Sequence, residues 1–213
     1  MRTIIRIAAT IIGVAMATTL SVSAWAEDVP NLGELDYWYA DNSIISHWNT
    51  TPKIYAESLS TNKDFDLNNY IGFGIYQWSN NSVVNCTLNG TSSSHTIHFY
   101  GGTAAQLEAA GVFSDCTGVN GKTKSTATVE GNYTYNGEIK TCKVTTYSKI
   151  ALVEKSRTDM AYCKTSAHEL GHAIGYSGHS LTKGDIMYTS SIYNTTNALT
   201  ERDVKHIYQI YHR

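Results

Sequence analysis

The sequence lacks runs of charge of either sign. Lys and Arg number 16 and Asp and Glu number 18 among 213 residues, so the formal net charge is only −2. Nucleic acids and anionic membrane surfaces are bound through clustered basic residues. The sequence therefore predicts neither a nucleic-acid partner nor a membrane-surface partner.

Long apolar runs are also missing, except near the N-terminus. A basic start precedes an apolar run over residues 7–22, and residues 24–26 have the small-x-small pattern of a cleavage site. This arrangement predicts a signal peptide over residues 1–26. An uncleaved anchor is the alternative, but the run is short for a membrane-spanning helix. We therefore expect a secreted, extracellular protein that begins at Glu27 and has no membrane contact after signal removal.

Interdomain linkers and internal repeats are absent from residues 27–213. That length is enough for one well-filled core and too short for two. The sequence therefore predicts a single domain over residues 27–213, which we expect to be a monomer.

Paired Cys-x-x-Cys motifs do not occur, although the chain has four cysteines, Cys86, Cys116, Cys142 and Cys163. A cysteine-rich metal site would show such pairs. In an oxidising compartment, four cysteines predict two disulfides. Three pairings are possible, and the sequence does not distinguish them.

Hydrophobic periodicity predicts an alternation of strands and helices. Strand patterns cover residues 53–59, 82–88, 95–100 and 149–153, with a hairpin over 126–147 around an Asn-Gly turn at 136–137. Helical patterns cover 66–79, 104–110, a long helix from a Ser156/Asp159 capping pair to 174, and a final helix over 204–211. Such elements can pack as one mixed sheet with helices on one side, so we predict an α+β fold.

His168-Glu169-Leu170-Gly171-His172 is the most informative motif of the chain. On an α-helix, residues four apart lie on the same face, so both imidazoles can bind one metal ion. Glu169 is then placed to act as general base on a metal-activated water. The motif predicts a zinc-dependent hydrolase.

Residues downstream extend this motif. Gly175 ends the helix, His179 follows, and Met187 comes eight residues later. This order resembles the metzincin metallopeptidases, and most closely the matrixin branch; residues 199–204 also resemble the start of the matrixin C-terminal helix. The resemblance implies a zincin-type fold. That fold has a twisted mixed sheet, an active-site helix, and a small C-terminal subdomain that carries a Met-turn and the final helix.

The resemblance also implies roles for individual residues. His168, His172 and His179 would hold one catalytic Zn²⁺, and Glu169 would be the general base of a zinc metalloendopeptidase that hydrolyses polypeptide substrates. Met187 would pack beneath the histidines.

Two further residues take expected roles from the same resemblance. Tyr188, with the loop to Tyr193, would line a specificity pocket. Asp203 is a candidate to hydrogen-bond the backbone of the Met-turn.

The spacer before the third histidine departs from the family pattern. Matrixins place two residues between the glycine and this histidine, whereas Tyr176, Ser177 and Gly178 make three here. We expect Gly178 to accommodate the extra residue, because glycine adopts backbone angles closed to other residues.

Two rival functions remain open at this level. In a gluzincin-type peptidase, Glu201 or another distal carboxylate would replace His179 as the third ligand; the order Gly175, His179, Met187 argues against it. In a catalytically inactive zinc fold, the protein would be a binding or adhesion module. The intact Glu169 favours an enzyme.

No second metal site is predicted. His95 and His98, three apart on a predicted strand, would face opposite sides and chelate poorly. No carboxylate-rich calcium loop is evident. His47 and His206 have no partners in the sequence pattern and are predicted to be surface or locally satisfied groups.

Overall fold

The computed structural model of the protein describes residues 44–81, 84–135, 138–190 and 197–211. The predicted signal peptide and the expected N-terminus at Glu27 lie outside the described residues. Within these ranges, no helix is both long enough and apolar enough to cross a membrane.

Five strands form one mixed sheet: β1 Ile44–His47, β2 Ile54–Ser58, β3 Ile97–Thr103, β4 Gly121–Tyr135 and β5 Glu138–Glu154. Strand β2 pairs with β3 in parallel, and β3 and β1 each pair with β5 in parallel. Strand β4 pairs with β5 in the antiparallel direction. Because β1 and β3 pair with different stretches of β5, they lie one after the other along its edge opposite β4.

Four helices accompany the sheet: α1 Leu67–Asn81, α2 Ala104–Ala109, α3 Asp159–Ala173 and α4 Glu201–Tyr211. The long helix α3 begins after Thr158, whose side chain accepts a hydrogen bond from the backbone NH of Ala161. Thr158 therefore takes the capping role that the sequence assigned to Ser156. Helix α1 packs on α3 closely enough for the Trp78 indole NH to donate to the Ala167 carbonyl at 2.7 Å.

Two strand predictions need correction. Residues 84–88 are not a strand; they hold a single bridge between Thr87 and Lys53, while Val84 and Cys86 are buried. The predicted hairpin strand and the separate strand at 149–153 are one continuous strand, β5, of 17 residues. Two register shifts interrupt the β4–β5 pairing, one between Thr126 and Ala127 and the other between Val129 and Gly131. The predicted turn at 136–137 lies outside the described residues.

The main core lies between the sheet, α1, α3 and α4, and a smaller cluster packs around α2. All four cysteines are buried thiols, so the prediction of two disulfides is wrong. They lie on separate elements: Cys86 after α1, Cys116 in the smaller cluster, Cys142 in β5 and Cys163 in α3. A disulfide needs the two Cβ atoms within about 4.5 Å. Cys86 packs in the main core as a small apolar group, and burial raises its pKa to about 12.

Candidate metal centre

Helix α3 presents His168 and His172 side by side, as their spacing predicts. Their Nε2 atoms are 3.1 Å apart. His168 Nδ1 lies 2.8 Å from the Ile186 carbonyl oxygen, and His172 Nδ1 lies 2.8 Å from that of Tyr176. A carbonyl only accepts, so Nδ1 carries the hydrogen in both rings and each Nε2 presents a lone pair.

His179 joins these two rings from the loop after α3. Its ring centroid is 5.2 Å from that of His168 and 4.9 Å from that of His172. We call these residues the three-histidine cluster; one ligand atom of each lies within 4.8 Å of those of the others. The loop turns at Gly175, with φ +123°, and at Gly178, with φ +73°. Glycine adopts both angles readily. The two turns bring His179 back beside the helix although the spacer has one residue more than the family pattern.

The three-histidine cluster fits a zinc-class divalent cation. Two neutral imidazoles that both donate through Nδ1 would otherwise hold their lone pairs against each other at 3.1 Å. Burial lowers the pKa of His168 to about 4, and burial also lowers the pKa values of His172 and His179. The rings are therefore neutral at pH 7, which is the form that binds metal.

Glu169 lies on the same helix and is buried beneath β4. The Thr123 hydroxyl donates to its Oε2 at 2.7 Å, and Gly121 lies directly above its side chain. Burial raises the pKa of Glu169 and the hydrogen bond from Thr123 lowers it, and the net result is a pKa raised to about 7. A carboxyl group with this pKa can take up and release a proton near neutral pH.

The turn at Ile186 and Met187 lies against helix α3 and is held by Asp203. Met187 is fully buried, and its Sδ occupies the space beside Gly171, where an added Cβ would come within 2.5 Å of it. Asp203 accepts hydrogen bonds from the backbone NH of Ile186 at 2.9 Å and of Met187 at 3.3 Å. The expectation that Asp203 bonds this turn is confirmed. Asp203 thereby also fixes the position of Ile186, whose carbonyl accepts the hydrogen bond from His168 Nδ1.

Two carboxylates that follow α3 in the chain, Asp185 and Glu201, are alternative candidates for a third ligand, and both lie elsewhere. Asp185 is buried and accepts hydrogen bonds from the Ser180 hydroxyl and, at 2.7 Å, from the Thr200 hydroxyl. Glu201 is exposed in the first turn of α4. Neither belongs to the three-histidine cluster.

Two cavities meet at His179. One, of about 350 Å³, is lined by Gly121, His168, Glu169 and Tyr188 among others. The second, of about 700 Å³, extends along β4 past Thr123 to Ala127 and is also lined by His172. Tyr188 thus lines a cavity beside the cluster, whereas residues 191–193 of the expected pocket loop lie outside the described residues.

The sequence did not reveal Thr123 and Gly121 as site residues. They come from β4, and Thr123 is 46 positions before Glu169. No local motif surrounds them, and only the packing of β4 over α3 brings them to the carboxylate.

The surface alternative predicted for His47 and His206 is wrong, and His95 and His98 do not face opposite sides of a strand. His95 precedes β3 and therefore does not alternate with His98; their ring centroids are 4.7 Å apart, and His98 Nε2 lies 2.8 Å from Glu57 Oε2. His47 is buried with its Nε2 3.0 Å from Glu130 Oε2. His206 is buried and stacks on Tyr176 at 4.0 Å.

Comparison with known proteins gives one family. The sequence model described as matrixin matches residues 47–212. The comparison with curated proteins gave no match.

Proposed function

Because the chain belongs to the matrixin family of zinc metallopeptidases, we propose that it is an active endopeptidase with a single catalytic zinc ion. The observation that carries the proposal is the three-histidine cluster beside the buried carboxylate of Glu169. A general base next to three neutral imidazoles is the residue set that metal-assisted hydrolysis of a peptide bond needs.

His168, His172 and His179 are the proposed ligands. When bound, zinc supplies Lewis-acid activation of the attacking water and polarises the scissile carbonyl. The carbonyl groups of Ile186 and Tyr176 hold two of the rings by Nδ1, so that each Nε2 would be free to bind the ion.

Glu169 is the proposed general base. It accepts a proton from the attacking water and then delivers that proton to the leaving amine. Its burial raises the pKa to about 7, which suits a group that must both take and release a proton. Thr123 restricts the carboxylate to one orientation through the bond to Oε2.

The substrate is proposed to bind as an extended strand along β4. Among the described residues, β4 pairs with β5 alone, so its other edge offers unpaired backbone groups. Both cavities border β4, the first beside Gly121 and the second beside Thr123. Backbone hydrogen bonds would give affinity for polypeptides, and the cavity beside Tyr188 would select one side chain.

Subdomain organisation, cellular location and oligomeric state are part of the same proposal. The chain after Gly175, with the Met187 turn and α4, forms the small lower subdomain. Export rests on the predicted signal peptide over residues 1–26, and we propose that residues 27–213 act as one monomeric domain.

A cleavage assay tests the proposal against the inactive binding module. The purified protein should cut an unfolded polypeptide, lose this activity in a zinc chelator, and regain it when zinc is restored. The matched control is Glu169→Gln, which should hold zinc without cutting. Binding of the polypeptide with no cleavage by the zinc-loaded protein would overturn the proposal.

A further inference from the structure

A second group of metal-binding side chains lies on the sheet. His47 ends β1, Glu130 lies in β4, and Cys142 lies in β5 between these two strands. We call them the strand-face cluster. His47 Nε2 is 3.0 Å from Glu130 Oε2, the Cys142 thiol donates to the same oxygen at 3.2 Å, and all three ligand atoms lie within 4.8 Å of one another.

Sheet register explains why these residues meet. Cys142 pairs with residue 45 of β1 on one side and with Gly131 of β4 on the other. His47 is two positions beyond residue 45, so it lies on the same face as Cys142. A register shift between Val129 and Gly131 takes Glu130 out of the regular ladder. Such a bulge re-aims a side chain, and here it brings the carboxylate to the other two groups.

We propose that the strand-face cluster is a second metal site that binds a zinc-class divalent ion through His47, Glu130 and Cys142. It shares no residue with the three-histidine cluster. Thiolate, imidazole and carboxylate together are a donor set that zinc accepts and that calcium and magnesium do not.

The interatomic distances support coordination. Around a tetrahedral zinc ion, bond lengths imply a separation of about 3.3 Å between nitrogen and oxygen ligands and about 3.5 Å between sulfur and oxygen ligands. The present separations of 3.0 Å and 3.2 Å need to open by only a few tenths of an ångström. Two hydrogen bonds to one carboxylate oxygen would thus be exchanged for three bonds to one ion.

Burial supports the same site. The His47 side chain is 8% exposed, whereas that of Glu130 is 44% exposed. Cys142 is buried. An ion can therefore enter past Glu130 and keep a water as its fourth ligand. On binding, the Cys142 thiol loses its proton to solvent, and the thiolate becomes the ligand.

The neighbours of the strand-face cluster suggest a structural purpose. Trp48, next to His47, donates from its indole NH to the Ala173 carbonyl at 2.8 Å, at the end of α3. The Trp48 backbone NH donates to the Tyr211 hydroxyl of α4 at 3.1 Å. An ion bound at His47 would hold β1 to the β4–β5 pair. Because Trp48 follows His47 and bonds the end of α3, the ion would also link this part of the sheet to the helix that carries His168 and His172.

Cobalt substitution tests the site directly. A thiolate bound to Co²⁺ gives an intense charge-transfer absorption in the near ultraviolet, whereas the three-histidine cluster contains no thiol to produce it. The full chain, kept reduced with a phosphine and loaded with Co²⁺, should show this band. The band should persist in His172→Ala, so the result does not depend on the catalytic centre.

Variants of the strand-face cluster complete the test. Cys142→Ser should abolish the band and lower the zinc content by one ion per chain, and Glu130→Gln, an exposed and isosteric change, should weaken cobalt binding at least about tenfold. Cys86→Ser, which removes a buried thiol outside the cluster, should keep the band. No thiolate band in the reduced wild-type protein would overturn the proposal, as would a band that survives Cys142→Ser.

Discussion

Thr123 and Glu169 are joined at two points, although 46 positions separate them in the chain. The Thr123 hydroxyl lies 2.7 Å from Glu169 Oε2 and 3.0 Å from the Glu169 backbone carbonyl oxygen. The hydroxyl has one hydrogen, which it shares between these two acceptors and directs mainly to the nearer carboxylate oxygen. The position and the acidity of the proposed base therefore depend on the strand above it.

Removal of the Thr123 hydroxyl should shift the pH dependence of cleavage. Its hydrogen bond stabilises the charged carboxylate and so lowers the pKa of Glu169. Burial raises this pKa by more, and the net value in the wild type is about 7. In Thr123→Val this pKa should rise further, so the acid limb of kcat/KM should move to higher pH by about one unit.

Thr123→Ser is the matched control, because it keeps the hydroxyl. Its acid limb should stay with that of the wild type in a pH series of kcat/KM. If the Val and Ser variants share one pH profile, the hydroxyl does not act on the base.

Gly121→Ala should reduce activity without removing the metal. A Cβ at Gly121 would lie 2.6 Å from Glu169 Cγ and 2.7 Å from Oε1, so the carboxylate must move. A displacement of this size at a catalytic group costs about 10²-fold in kcat. Single-turnover cleavage and zinc analysis measure the two effects separately.

Gly131→Ala provides the control for this substitution. Gly131 lies on the same strand, and a Cβ there meets no atom within 4 Å. Its kcat should match the wild type. Equal losses in both variants would indicate a general effect on β4 rather than contact with Glu169.

Glu169→Gln should retain zinc and lose turnover. Glu169 is outside the three-histidine cluster, and the amide cannot accept the proton. We expect kcat to fall about 10³-fold or more, measured together with metal content on the same sample. Loss of zinc in step with activity would assign Glu169 to metal binding instead.

His179→Ala should lose zinc and activity together, since a catalytic zinc site normally has three protein ligands. Glu201→Ala should behave like the wild type, because Glu201 is exposed on α4 and outside the cluster. Equilibrium dialysis against zinc compares the two. The reverse pattern, with zinc lost only in Glu201→Ala, would favour the gluzincin alternative.

Helices were predicted more accurately than strands. The helix predicted at 104–110 is observed as Ala104–Ala109, and the active-site helix ends within one residue of its predicted end. Helical periodicity and caps are local, so a short stretch of sequence contains them. The strand predicted at 82–88 was wrong because Val84 and Cys86 are buried by core packing and not by pairing in the sheet.

Cysteine and histidine partners were predicted poorly for a related reason. Four cysteines in a chain predicted to be exported suggested disulfides, yet all four are free, buried thiols. His47 gave no signal of a partner, whereas the sheet register brings it to Glu130 and Cys142. Composition and spacing contain no information on distances across a fold.

The sequence by itself determined the chemistry of one helix face. Because four residues make about one helical turn, His168 and His172 had to meet wherever that helix packed. Only the tertiary structure decided what surrounds them: the return of His179 across two glycines, the hold of Thr123 on Glu169, and the meeting of His47 with Cys142. These contacts join residues far apart in the chain, and they follow from strand register and core packing rather than from any local pattern.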